Sequence, residues 1–108
     1  MPEFSIVTEL FEQVRLAKPA SLKQLASLRE YLEASQPHFV SVVFDKSKSL
    51  TYQEEHVCLL LHEGFTPSNI AVLLDMSKQR VTNLRASINR KLFNELGTLS
   101  LNKNLNQL

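Results

Sequence analysis

The sequence predicts an all-α fold. Apolar residues recur at helical spacing through most of the chain, each run opened by a Ser, Thr or Pro start signal. Two glycines and four prolines among 108 residues leave room for few tight turns. No alternating Val/Ile/Thr run bounded by turn residues argues for a strand.

The first helix is expected over about residues 6 to 17, with Ser5 as N-cap. Ile6, Val7, Leu10, Phe11, Val14 and Ala17 repeat at helical spacing, and Pro19 disfavours helix beyond Lys18. Ser21 with Gln24 has the form of a capping box. It opens a second helix, about 21 to 35, whose face carries Leu22, Leu25, Leu28 and Leu32, with Ala26 and Tyr31 beside it. Pro37 suits the first position of a short third helix, Pro37 to Phe44, burying Phe39, Val40, Val43 and Phe44. Its valines also permit an extended segment. Asp45 to Ser49 reads as a polar linker. The expected organisation is thus an N-terminal helical segment, 1–49, for packing, dimerisation or signal reception, and a second unit, 50–108.

In the second unit, Thr51 with Glu54 forms another capping box ahead of a helix at about 52 to 63, with Val57, Leu60 and Leu61 inward. Gly64 can end that helix in a left-handed conformation. Thr66 then Pro67 starts a short helix, about 67 to 74, with Ile70, Ala71, Leu73 and Leu74 on its apolar side. After Asp75-Met76, Ser77 caps a helix of about 78 to 93 with a buried stripe of Val81, Leu84, Ile88 and Leu92. The remainder, Asn94 to Leu108, carries Gly97 and scattered leucines and reads as a loose helix or an arm.

Charge is segregated along the chain although the net charge is only +1. Residues 77 to 92 hold Lys78, Arg80, Arg85, Arg90 and Lys91 and no acid, while ten of the eleven carboxylates precede Ser77. One basic helix on an acidic body is the footprint to look for in a nucleic-acid binder. The single cysteine, Cys58, excludes an intramolecular disulfide and fits a reducing compartment. No apolar run approaches the ~18 residues of a membrane span, and Glu3, Glu9 and Glu12 interrupt any signal peptide. Met1-Pro2-Glu3-Phe4 reads as an abrupt start, as of a piece cut from a longer protein.

Helix, glycine, short helix, three-residue turn and capped basic helix together make a helix-turn-helix. The first helix of the pair lies across the DNA backbone and the second enters the major groove. Ala71 allows the close crossing, and Ile70, Leu74, Val81 and Leu84 clamp the two. Opposite the apolar stripe lie Gln79, Asn83, Ala86 and Arg90, with Thr82 beside them. Gln and Asn can bond bidentately to adenine and Arg to guanine, while Ala86 leaves room for a thymine methyl. Lys78, Arg80 and Lys91 are expected on phosphates. Ser77 and the free N–H groups of the following turn can hold a phosphate oxygen, and Thr66 to Ser68 offers a second such place. Arg85, toward the apolar stripe, is expected in a structural ion pair with Glu54 or Glu55.

Leu50-Thr51-x-x-Glu54, Gly64-Phe65-x-x-x-x-Ile70-Ala71-x-x-Leu74, and Ser77-x-x-x-Val81 through Ile88-x-x-Lys91-Leu92 run in register over about 44 residues. This stretch resembles the LuxR-type output domain of the winged-helix-like DNA-binding superfamily. Thr82, Leu84 and Asn69 stand where lysine, histidine and glutamate are usual. Across nearly the whole chain, Ile6-Val7, Leu10-Phe11, Pro37-x-Phe39, Val57-Cys58-Leu59-Leu60, Asn83-x-Arg85 and Lys91-Leu92-Phe93 are similar to the C-terminal cytoplasmic regions of Bacteroidetes regulators that carry tetratricopeptide repeats. The resemblance implies sequence-specific binding of double-stranded DNA in transcriptional regulation. It also implies a cytoplasmic location, at times as the end of a membrane-anchored protein, and a sensor domain upstream in a longer parent. A homodimer on two half-sites fits a helix that reads only a few base pairs, with Leu99 to Leu108 or the N-terminal helices as contact.

The competing reading is a helical protein-interaction module that contacts RNA polymerase or another regulator, or a sigma-factor-like promoter reader on the same fold. Catalysis finds no support: there is no Gly-rich phosphate loop, no paired carboxylates and no base arranged for Cys58, so no small-molecule substrate or cofactor is expected. His56 and His62 are six apart on one helix and His38 is isolated, so no metal site is expected either.

Overall fold

The computed structural model describes residues 5–108; the abrupt start read at Met1 to Phe4 lies outside them. The described residues form seven α-helices: α1 (Ile6–Arg15), α2 (Leu22–Ser35), α3 (Pro37–Val43), α4 (Tyr52–His62), α5 (Pro67–Leu73), α6 (Lys78–Phe93) and α7 (Leu101–Asn106). Among them there is no strand, so no β-wing accompanies the helices. None of these helices is long and apolar enough to cross a membrane.

Every Ser or Thr start signal read in the sequence acts as a cap, while Pro37 opens α3 without one. Ser5, Ser21, Thr51, Thr66 and Ser77 each accept a hydrogen bond from the backbone N–H three residues on. Such caps satisfy donors that the helix itself leaves unpaired, each worth about 1 kcal/mol. At Ser21 and Thr51 the side chains of Gln24 and Glu54 accept in return from the cap residue's own N–H, which completes the capping box. Asn69 does the same for Thr66, at 3.3 Å, in a role its sequence position did not advertise.

The helix ends are less visible in the sequence because only one of them uses glycine. At α4 the Gly64 N–H bonds to Leu61 O and the Phe65 N–H to Leu60 O, with Gly64 at φ +92°. The same paired closure ends α1 at Ala17 (φ +55°) and α5 at Asp75 (φ +54°). Consequently α1 stops two residues, and α5 one residue, before the expected ends. A Cβ at Gly64 would meet nothing within 4 Å, so only backbone strain opposes a side chain there. Gly64→Ala is expected to lower stability by about 1 kcal/mol in urea unfolding. No measurable loss would mean that the turn relaxes out of the left-handed region.

Helix α4 lies at the centre, packed on α2, α5, α6 and α7. It is therefore buried nearly all round, from His56 through Leu61, and not only along Val57, Leu60 and Leu61. Around it α5 and α6 form the crossed pair, with Ile70, Val81 and Leu84 buried and Leu74 half-buried between them. The stripe of Val81, Leu84, Ile88 and Leu92 faces the core as its spacing predicts. At the C-terminus Leu101 and Leu105 are buried against α4 and α6, so of the loose helix or arm expected there a docked helix is found, whereas Leu99 is fully exposed.

The N-terminal helices share this core. Leu10, Leu28, Leu32, Phe39 and Val43 belong to one hydrophobic cluster with Val57, Leu60, Phe65 and Ile88. Phe11 stacks on Phe65 with ring centroids 4.1 Å apart, and the Ala20 N–H donates to Leu73 O at 2.8 Å. The segment before Ser49 is thus packed on α4 and α5. Leu22, expected on the buried face of α2, is instead 71 % exposed. Asp45 to Ser49 is a single 3₁₀ turn closed by Ser49 at φ +59°.

Candidate nucleic-acid interface

The outward face of α6 is built by the burial of the opposite one. With the apolar stripe inward, Gln79, Thr82, Asn83 and Arg90 are left exposed, as are Lys78 and Arg80 at the start of the helix. Gln79 Nε2 donates to Asn83 Oδ1 at 3.0 Å. Two amides one turn apart thus present a single aligned set of donors and acceptors. Ala86 is half-buried; with Ser87, Arg90, Leu96 and Gly97 it lines a shallow hollow where the connection after α6 folds back. The outward face is therefore open over its first two turns and flanked by an apolar edge at its far end.

The caps next to this face retain hydrogen-bonding capacity. Ser77 Oγ accepts from the Arg80 N–H at 3.0 Å, which leaves its hydroxyl hydrogen and the Lys78 and Gln79 amides of α6 uncommitted. Thr66 is more committed. Its N–H goes to Asn69 Oδ1 and its Oγ1 accepts from the Asn69 N–H at 3.1 Å, so its hydroxyl hydrogen and that of exposed Ser68 are what remain.

Two of the basic side chains fasten α6 to α4. Lys91, expected on phosphate, has its Nζ donating to Glu54 Oε1 at 2.7 Å and to Ser49 O at 2.9 Å. Glu54 is 2 % exposed, and an unpaired charge there would be costly. Burial pushes the Glu54 carboxyl up, but hydrogen bonds from Lys91, from Ser87 and from the Thr51 backbone outweigh it and hold the group below the ordinary range. Arg80 remains exposed, yet its Nη2 donates to Gln53 Oε1 at 2.7 Å. Lys78 and Arg90 are the exposed cations of the helix without a side-chain hydrogen bond among the described residues.

The expected ion pair of Arg85 with Glu54 or Glu55 is corrected. Glu54 is taken by Lys91, and Arg85 Nε is buried with no hydrogen-bond partner among the described residues. Burial pushes that guanidinium below its ordinary value. Sequence reasoning missed Asn89, which is fully buried. Its Nδ2 donates to Gly97 O at 3.1 Å and to Ser100 Oγ at 3.0 Å, and its Oδ1 accepts from Asn104 Nδ2 at 3.2 Å. A polar residue beside the apolar stripe was the available signal.

The remaining candidates for chemistry are packed apart. Cys58 is fully buried, and burial followed by the charges of Glu54 and Glu55 pushes its thiol far above the ordinary range. His62 lies against the Phe39 ring and contacts Glu63 at 2.8 Å, while His56 meets Tyr52 edge-on. No three His, Cys, Asp or Glu side chains gather as metal ligands among the described residues. No protein-family model, curated protein or solved structure matches the chain.

Proposed function

We propose that this protein binds double-stranded DNA sequence-specifically in transcriptional regulation, without catalysis, and that α6 is the helix that enters the major groove. The observation that carries the reading is the exposed Gln79–Asn83 amide pair on a capped, acid-free helix packed against α5. Gln79, Thr82 and Asn83 would read base edges near the N-terminal end of the helix, where groove readers make most of their contacts. Arg90 and Ala86 would reach bases or sugars at its far end. Lys78, Arg80, Ser77 and Ser68 would meet phosphates, with Thr66 contributing its hydroxyl. The resemblance to the LuxR-type output domain supports the same assignment. By that reading the protein acts in the cytoplasm, as a homodimer and under an upstream sensor domain.

A second reading, contact with RNA polymerase or another regulator, is favoured by one observation. Leu96 is 88 % and Leu99 100 % exposed in the connection between α6 and α7, apolar surface that a partner protein could cover.

Fluorescence-anisotropy titration with a short mixed-sequence duplex at two salt concentrations separates the two. DNA binding is expected to weaken steeply as salt rises. Asn83→Ala/Arg90→Ala should bind about tenfold more weakly and with a salt slope reduced by about one. Absence of binding at low salt by a protein with the native circular-dichroism spectrum would overturn the DNA reading in favour of the protein contact.

A further inference from the structure

We propose that the hollow between the start of α2, the start of α4 and the α5–α6 turn is a binding site for a small uncharged aromatic molecule carrying one hydroxyl or amide group. The hollow measures about 340 Å³, within the range of small-molecule sites, and is walled by Leu22, Leu25, Tyr52, Leu74 and Met76. Leu22 and Tyr52 are 71 % and 60 % exposed at its mouth, apolar surface that nothing in the fold covers.

The floor supplies the polar contact. His56 is only 8 % exposed, lines both this hollow and the one beside it, and makes no side-chain hydrogen bond among the described residues. Burial, followed by the charge of Arg29, pushes its imidazole below the ordinary value. A neutral imidazole offers one donor and one acceptor, which a hydroxyl or an amide can satisfy. Asp75 at the rim disfavours an anion, and a buried cation would find only that solvent-exposed carboxylate to pair with.

The location gives occupancy a structural consequence. Ala20 and Leu73, joined by their 2.8 Å backbone hydrogen bond, both line the site, as do Asp75 and Met76 of the turn that sets the α5–α6 crossing. A bound molecule would touch the N-terminal segment and the helix-turn-helix together. The inference does not rest on the DNA reading, because binding is read directly.

The test is titration of the isotope-labelled full chain with 2-naphthol, followed by amide and imidazole chemical shifts at neutral pH. Saturating shifts confined to Leu22, Tyr52, His56, Leu74 and Met76 are expected. His56→Phe, which keeps the volume and removes the polar contact, should weaken binding about fivefold. Ala20→Phe, which fills the hollow, should abolish it, and the His56 variant stands alone if the Ala20 variant does not fold. Shifts that scatter over the surface or rise without saturation would overturn the proposal. So would localised shifts to which the His56 variant is indifferent.

Discussion

Asn89→Ala is expected to lower the unfolding free energy by about 2–3 kcal/mol and to release α7. The side chain is fully buried and makes three hydrogen bonds, to Gly97 O, Ser100 Oγ and Asn104 Nδ2. Alanine removes all three and leaves the Gly97 carbonyl facing a small void, and each buried polar group left unpaired costs about 1–3 kcal/mol. The damage should centre on residues 97 to 105, where Leu101 and Leu105 seat α7 on the core. Asn89→Asp provides the sharper comparison. It keeps the shape but turns an acceptor toward the Gly97 carbonyl, so it should destabilise more than alanine at neutral pH. Urea unfolding together with amide shifts of residues 97 to 105 decides the matter. A loss below about 0.5 kcal/mol would show that Asn89 does not hold this corner.

Removal of the Glu54 carboxylate is the second large effect. Glu54 Oε1 accepts from the Thr51 N–H at 2.8 Å and from Lys91 Nζ at 2.7 Å, so one side chain closes the start of α4 and fixes the end of α6. Glu54→Ala loses the capping box and leaves Lys91, whose side chain is 31 % exposed, with only Ser49 O and water as partners. About 3 kcal/mol is expected, from one cap and one partly buried charged hydrogen bond. Glu54→Gln keeps the cap and should cost roughly 1 kcal/mol. The folded carboxyl is held below its ordinary value, so its stabilising contribution is complete above the unfolded value. It is lost as pH falls through the folded one. The stability gap between wild type and Glu54→Gln should therefore be constant at neutral pH and shrink below about pH 4.3. A gap that widens in acid would reverse the sign assigned to the pair.

The starts of the helices are legible in the sequence because a cap is a local event. Ser5, Ser21, Thr51, Thr66 and Ser77 each act within three residues of themselves. The ends are less so, because Ala17 and Asp75 take left-handed conformations usually left to glycine. The stripe on α6 is legible because that helix has one buried side. Helix α4 has almost no exposed side, and periodicity carries no information where burial is uniform. The exposed amides of the candidate interface follow from the stripe by elimination. The partners of the charged groups do not. Whether Lys91 or Arg85 meets Glu54 depends on where α4 and α6 cross, a relation between residues 37 positions apart. Likewise Asn89 waits for a partner strand of chain, Gly97 to Asn104, whose path nothing local dictates.

On the DNA reading proposed above, the two tethers of α6, Arg80 to Gln53 at one end and Lys91 to Glu54 and Ser49 at the other, leave the base-reading positions free of the upkeep of the fold. Gln79, Thr82 and Asn83 bear on neither tether and are exposed to solvent. Mutations there can drift or be selected at little cost to foldedness, so a protein that worked as proposed could be retargeted without first acquiring compensating substitutions elsewhere.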